Sequence, residues 1–194
     1  MAWIAKTFTE QPLPYESLRS LVRDGDLLLW KPVGLPGRII AWGTRSCYSH
    51  ASMAAWRHGR LWNLEMVQWR GGQHVHLSQQ IARYPGSCAV WRPRNLAFDG
   101  VGAVHEMLWL MGQNYGWWDL ARIAVRNVLP HCVLPQAVDS DDPEVPRVCS
   151  ASYHWAARIG GGIAPCPGKA DLDVSPRDLY AGGFADYLGT PVLA

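Results

Sequence analysis

The sequence predicts an α+β fold, a small antiparallel sheet with helices packed against it. Three observations predict it. Short apolar or alternating runs of strand length recur between residues 27 and 92, with turn residues between them. Two of these runs, residues 49–56 and 61–67, flank His58-Gly59 as the arms of a hairpin. Further on, residues 148–159 read as a helix, with Pro146 before its start and Gly160-Gly161-Gly162 at its end.

Each element has its own signal. Residues 1–14 look irregular, and 15–22 form a short helix. Asp24-Gly25-Asp26 turns the chain into Leu27-Leu28-Leu29-Trp30, an apolar run that reads as a buried strand. Residues 32–37 are a loop, and 38–43 a helical turn carrying Ile39, Ile40 and Trp42. With His58-Gly59 as a two-residue loop, the hairpin register follows: Arg57 opposes Arg60, Trp56 opposes Leu61 and Ser52 opposes Glu65. Side chains alternate along each strand, so His50, Ser52, Glu65 and Val67 share one face. Glu65 then lies diagonal to His50 at about 7–8 Å, within reach of long side chains. A slip of one residue would place the two on opposite faces.

Gly71-Gly72 breaks the chain. Residues 74–78 alternate like a strand, Tyr84-Pro85-Gly86 is a turn, and 88–92 is a further strand. Asp99 caps a helix whose buried face carries Val101, Val104, Leu108 and Met111. Asn114-Tyr115-Gly116 ends that helix, and 117–128 form another, with Asp119 in a structural role. Residues 129–146, with several prolines and the acidic run Asp139-Ser140-Asp141-Asp142, read as a surface loop. The helix that begins near Cys149 buries Trp155, Ala156 and Ile159. After a Pro/Gly-rich loop carrying Cys166, Ser175 caps a short helix with Pro176 at its first position. The whole, residues 1–194, is expected to be one domain, with a core of about 24–181, an irregular N-terminal segment and a C-terminal tail.

Composition narrows the function. A net charge of +2 without a basic run gives no footprint for nucleic acid. No stretch approaches the roughly 20 apolar residues of a membrane helix. The N-terminus lacks the apolar run of a secretory signal, so synthesis in the cytoplasm is expected. Five cysteines, an odd number with no CxxC pair, argue against a zinc site and a full disulfide framework and for a free thiol in a reducing compartment. The 11 tryptophans read as core and rim aromatics, with a substrate groove as the other place for several of them. No cofactor or metal is expected.

Cys149 is the candidate nucleophile. The unpaired N–H groups and positive dipole end of a helix N-terminus favour thiolate over thiol. His50, heading an apolar strand, is the candidate general base, and Glu65 the carboxylate that fixes its tautomer and orientation. Cys47 is a rival nucleophile with no helix start beneath it. His74 and His76 share a strand face but lack further ligands at a metal-binding spacing, and read as polar residues on a solvated face. His58 is a turn residue and His154 a packing one.

These residues, in this order, resemble a known family. Gly25-Asp26-Leu27-Leu28-Leu29-Trp30, Tyr48-Ser49-His50 and the hairpin to Glu65 resemble the NlpC-like cysteine peptidases and amidases. In ordinary members the cysteine helix precedes the histidine strand; here it follows. That order resembles the circularly permuted, YiiX-like branch with a permuted papain-like fold. Asn114-Tyr115-Gly116-Trp117-Trp118-Asp119 is similar to its tyrosine–aspartate segment, Val148-Cys149-Ser150 to its nucleophile and Ser175-Pro176-Arg177-Asp178-Leu179 to its C-terminal segment. The acidic segment before Cys149 has no counterpart in that pattern.

The resemblance implies a catalytic set of Cys149, His50 and Glu65, and hydrolysis of an amide through a thioester. Peptidoglycan peptides are the expected substrate. A wall hydrolase without a signal sequence suits a bacteriophage protein, either released with lysis or carried in the virion, where it would dock on tail or baseplate components. Two other readings compete: a lipid or thioester acyltransferase or hydrolase, and a non-catalytic structural module of a virion that keeps the fold.

Overall fold

The computed structural model describes residues 10–116, 125 and 140–193. These residues form a mixed α+β structure with seven strands and six α-helices. In chain order they are β1 (Pro12–Pro14), α1 (Tyr15–Arg19), β2 (Leu27–Trp30), α2 (Gly34–Gly43), β3 (His50–Arg57), β4 (Arg60–Val67), β5 (Gly71–His76), α3 (Leu77–Arg83), β6 (Cys88–Pro93), α4 (Gly100–Trp109), α5 (Cys149–Ile159), a 3-10 turn (Asp171–Asp173), α6 (Pro176–Ala181) and β7 (Ala185–Val192). The strands make one sheet in the order β1-β7-β6-β2-β3-β4-β5. Every pairing is antiparallel except β1 with β7.

The sheet is covered on both faces, which explains the unbroken apolar run of β2. Leu27 and Leu29 join the cluster under α4, α5 and α6, while Leu28 and Trp30 join the opposite cluster under α1 and α3. The hairpin follows the expected register, with Ser52 opposite Glu65, Trp56 opposite Leu61 and Arg57 opposite Arg60. His58 and Gly59 both take positive φ, 50° and 70°, the tight turn that matches strand twist. Asp99 caps α4 by accepting the Gly102 N–H at 2.9 Å. At α6 the Asp178 carboxylate accepts the Ser175 N–H at 2.9 Å, with Pro176 at the first turn.

Several expectations are corrected. The sheet is neither small nor wholly antiparallel, because β1 and β7 extend it; the segment read as a C-terminal tail supplies β7. The expected loop at 32–37 already belongs to α2 from Gly34 onward, and α1 stops at Arg19. Gly71-Gly72 does not break the chain but opens β5, whose last residue is His76; Leu77 and Ser78 begin a helix instead. The two glycines are there for backbone contact. A Cβ on either would stand 1.9 Å from a carbonyl oxygen, Gln113 O for Gly71 and Leu110 O for Gly72.

On α4 the buried residues are Ala103, Val104 and Met107, whereas Val101 is 59% exposed and Leu108 and Met111 are only half-buried. The helix turns that face inward because its N-terminus packs backbone to backbone on the end of α5, where a Cβ on Gly102 would meet Gly160 O at 2.3 Å. Helix α5 is buried all round from Cys149 to Ala157, not along one face, and Ile159 points outward. The helix expected at 117–128, Asp119 and most of the loop expected at 129–146 lie outside the described residues. No helix among the described residues is long and apolar enough to cross a membrane.

Candidate active site

Three elements place the site. β3 starts at His50, β4 carries Glu65 on the same face, and α5 starts at Cys149. His50 Nε2 is 2.8 Å from Glu65 Oε2. The Cys149 thiol is hydrogen-bonded to the same imidazole. With Nε2 held by Glu65, Nδ1 is the nitrogen left for sulfur. The structure thus brings together all three residues expected from the sequence. Glu65 is fully buried, with its side chain 1% exposed, and His50 keeps 23% of its side chain open. Gln73, opposite Glu65 on β5, donates to Glu65 Oε1 at 3.4 Å.

The electrostatics favour an ion pair. Burial alone would push the Cys149 thiol up. The charge of His50, its hydrogen bond, and the backbone N–H groups of Ala51 and Ser150 outweigh burial and bring the thiol below its ordinary value. Burial likewise disfavours a His50 imidazolium. The Cys149 charge and hydrogen bond, then those of Glu65, reverse this and raise His50 from 6.5 to about 10. The other thiols behave differently: burial pushes Cys88 well up, and Cys166 to about 12. The residue before the helix, Val148, offers no side-chain acceptor to the first turn, so the Ser150 N–H stays available to the site.

Tyr115 completes the site, and sequence reasoning missed its role. Its hydroxyl contacts both the Cys149 side chain and the Cys149 backbone N–H, and also the Gln68 side chain. Burial raises this hydroxyl far above 10, and the Cys149 charge adds to the effect, so it stays a proton donor. Two tethers hold it. Tyr115 bridges to Arg147, two residues before the cysteine, and Gly72 exchanges backbone hydrogen bonds of 2.8 Å with Gln113 and Gly112. Arg147 is itself buried, stacked on Trp155 at 4.5 Å and donating to three backbone carbonyls.

The remaining candidates fall elsewhere. Cys47 bonds to the Tyr180 hydroxyl at 3.5 Å. His76 stacks on Trp62 at 3.8 Å and His74 is exposed. His154 does more than pack: its Nδ1 is 2.7 Å from Asp171 Oδ1, in a buried pair that Arg158 also joins. Cys47, Cys88, Cys149 and Cys166 are free thiols.

A pocket of about 450 Å³ opens beside the site. His50, Glu65, Gln68 and Tyr115 line it. Cys149 is not among the lining residues, but His50 and Tyr115, which touch it, are.

No family model matches the chain, and no curated protein matches it. Among solved structures, it is similar to the crystal structure of yiiX, a metalloprotein of Escherichia coli O157:H7. The TM-score is 0.53 at 18% identity, over 86% of this chain and 96% of that one. The likeness is one of fold.

Proposed function

We propose that this chain is a cysteine hydrolase of the circularly permuted papain-like type, acting on an amide bond. One observation carries the reading: a single imidazole joins a buried carboxylate to a thiol at the first turn of a helix. The chain order supports the permuted assignment, because the histidine strand β3 precedes the cysteine helix α5. The fold likeness to yiiX is consistent with it.

In the proposed mechanism His50 holds the thiol proton before substrate arrives, and Glu65 keeps its ring aligned. The Cys149 sulfur attacks the carbonyl carbon, and the electron pair moves to oxygen. The Tyr115 hydroxyl, beside the thiol, donates to that oxyanion, and the Cys149 N–H, which it accepts from at rest, is released to do the same. Its collapse expels the amine, which takes a proton from His50, and leaves a thioester on Cys149. His50 then accepts a proton from water, which attacks the thioester; collapse expels the Cys149 thiolate, the acid departs and the thiolate–imidazolium pair is restored.

The fold neighbour is described as a metalloprotein. The residues here do not suit a metal. As an imidazolium, His50 gives one N–H to Glu65 and the other to Cys149, so neither ring nitrogen keeps a lone pair for a metal. No group of three or more His, Cys, Asp or Glu among the described residues is placed to hold a metal ion. No step is routed through one.

The test is alkylation of the native protein by iodoacetamide across pH, with the labelled residue located by mass spectrometry. Selective labelling of Cys149 with a midpoint below the free-thiol value of about 8.5 is expected, weakened in His50→Ala. Labelling no faster than at Cys47, and indifferent to His50, would overturn the reading. Peptidoglycan peptides are the first substrates to screen, with Cys149→Ala as the inactive control.

A further inference from the structure

The pocket beside the site has an unbalanced charge. Its only carboxylate is Glu65, which is buried and already bonded to His50 and Gln73. Its cations are the His50 imidazolium, already held between Glu65 and Cys149, and two arginines, Arg70, just before β5, and Arg83, at the end of α3. Elsewhere in the molecule Arg92, Arg94 and Arg158 are each spent on an aspartate. Neither Arg70 nor Arg83 makes an ion pair or a side-chain hydrogen bond among the described residues. Two unspent guanidinium groups therefore share a concave site with the imidazole and tyrosine that touch the thiol.

Resting on the hydrolase reading, we infer that Arg70 and Arg83 bind a carboxylate of the substrate, so that the enzyme takes short acidic peptides. A guanidinium presents paired N–H donors that match a carboxylate fork. Gln68 and Gln80, in the same lining, offer amide donors and acceptors suited to peptide N–H and C=O groups. The volume of about 450 Å³ is of a size that takes a short peptide segment. Arg70 and Arg83 act here as specificity residues; the covalent chemistry stays with Cys149.

The experiment compares a neutral and an anionic alkylator of the same thiol. Native protein is treated with iodoacetamide or iodoacetate, and the Cys149 adduct is quantified by mass spectrometry. In the Arg70→Ala/Arg83→Ala variant the ratio of the iodoacetate rate to the iodoacetamide rate is expected to fall about tenfold. In wild type the same ratio should fall as salt is added. Arg83→Glu, at an exposed position where folding is not at stake, should lower the ratio further.

A ratio equal in wild type and both variants, with Cys149 still selectively labelled by iodoacetamide, overturns the carboxylate site and leaves the hydrolase reading standing. Loss of selective iodoacetamide labelling in wild type overturns that reading itself. A second arm measures protection of Cys149 by an acidic dipeptide, by its fully amidated form and by inorganic phosphate. Protection by the dipeptide alone supports the assignment. Protection by phosphate alone, or equal protection by the amidated peptide, overturns it.

Discussion

At the residue scale, the site depends on which protons stay where. Tyr115 is a donor whose ionisation is suppressed by burial, and the Cys149 N–H lies against its oxygen. On the proposed mechanism Tyr115→Phe removes one oxyanion donor and is expected to lower kcat by about 10²–10³ with little change in KM. A purely structural role would instead appear as lost folding stability with kcat preserved. The pH profile follows from the ion pair. Cys149 must be thiolate, and its pKa is lowered, so the rising limb lies below the ordinary thiol range. His50 must be imidazolium to protonate the leaving group, and its pKa is raised to about 10, so activity falls as pH rises through about 10. Glu65 helps to raise that value, so Glu65→Gln should move the falling limb to lower pH, as a pH–rate series would read directly.

At the scale of elements, Gly71-Gly72 is the joint between sheet and site. The glycines let the turn after α4 lie against the start of β5, and that turn runs on to Tyr115. Gly72→Ala forces a Cβ to within 1.9 Å of Leu110 O unless the backbone moves. It is expected to cost about 1–3 kcal/mol in urea unfolding and to slow Cys149 alkylation, because Tyr115 moves with the turn. Unfolding at the wild-type midpoint would show that the contact carries no load. The same joint explains what was legible in the sequence. The His50–Glu65 pair could be read because a two-residue turn sets the hairpin register and alternation then assigns the faces. Cys149 could be read because Pro146 and three glycines bracket its helix. Tyr115 could not be placed, since it reaches the thiol through contacts between distant segments that leave no local periodicity. Reading Gly71-Gly72 as the start of a strand would have set Gln73 opposite Glu65 and exposed that part of the network.

At the scale of the whole molecule, the chain ends were the least legible. A Pro-Leu-Pro segment and a run following Gly182-Gly183 look irregular in isolation, yet they pair with each other and close one side of the sheet. β7 becomes a strand because β6 is there to receive it on one side and β1 on the other. On α4 only Val101 was misassigned, while Val104 is core and Leu108 and Met111 pack against it; close backbone packing on α5 adds Ala103 and Met107 to that face. Propensity is a weak guide wherever tertiary contact makes the choice.

The Pro-Leu-Pro strand has a consequence for how this protein behaves in a crowd. Gln11 O accepts the Thr190 N–H, so by alternation Leu13 also directs its backbone toward β7, and Pro12 and Pro14 occupy the outward positions. An exposed strand edge is a template for joining another chain, but here both outward residues lack the N–H that such joining would use. Replacing Pro12 and Pro14 with valine should leave the monomer folded and restore the missing donors. Light scattering should then rise with concentration and time for the variant and stay flat for the natural sequence. If it does, two imino acids at the margin of the sheet are what keep this chain from polymerising through its own edge.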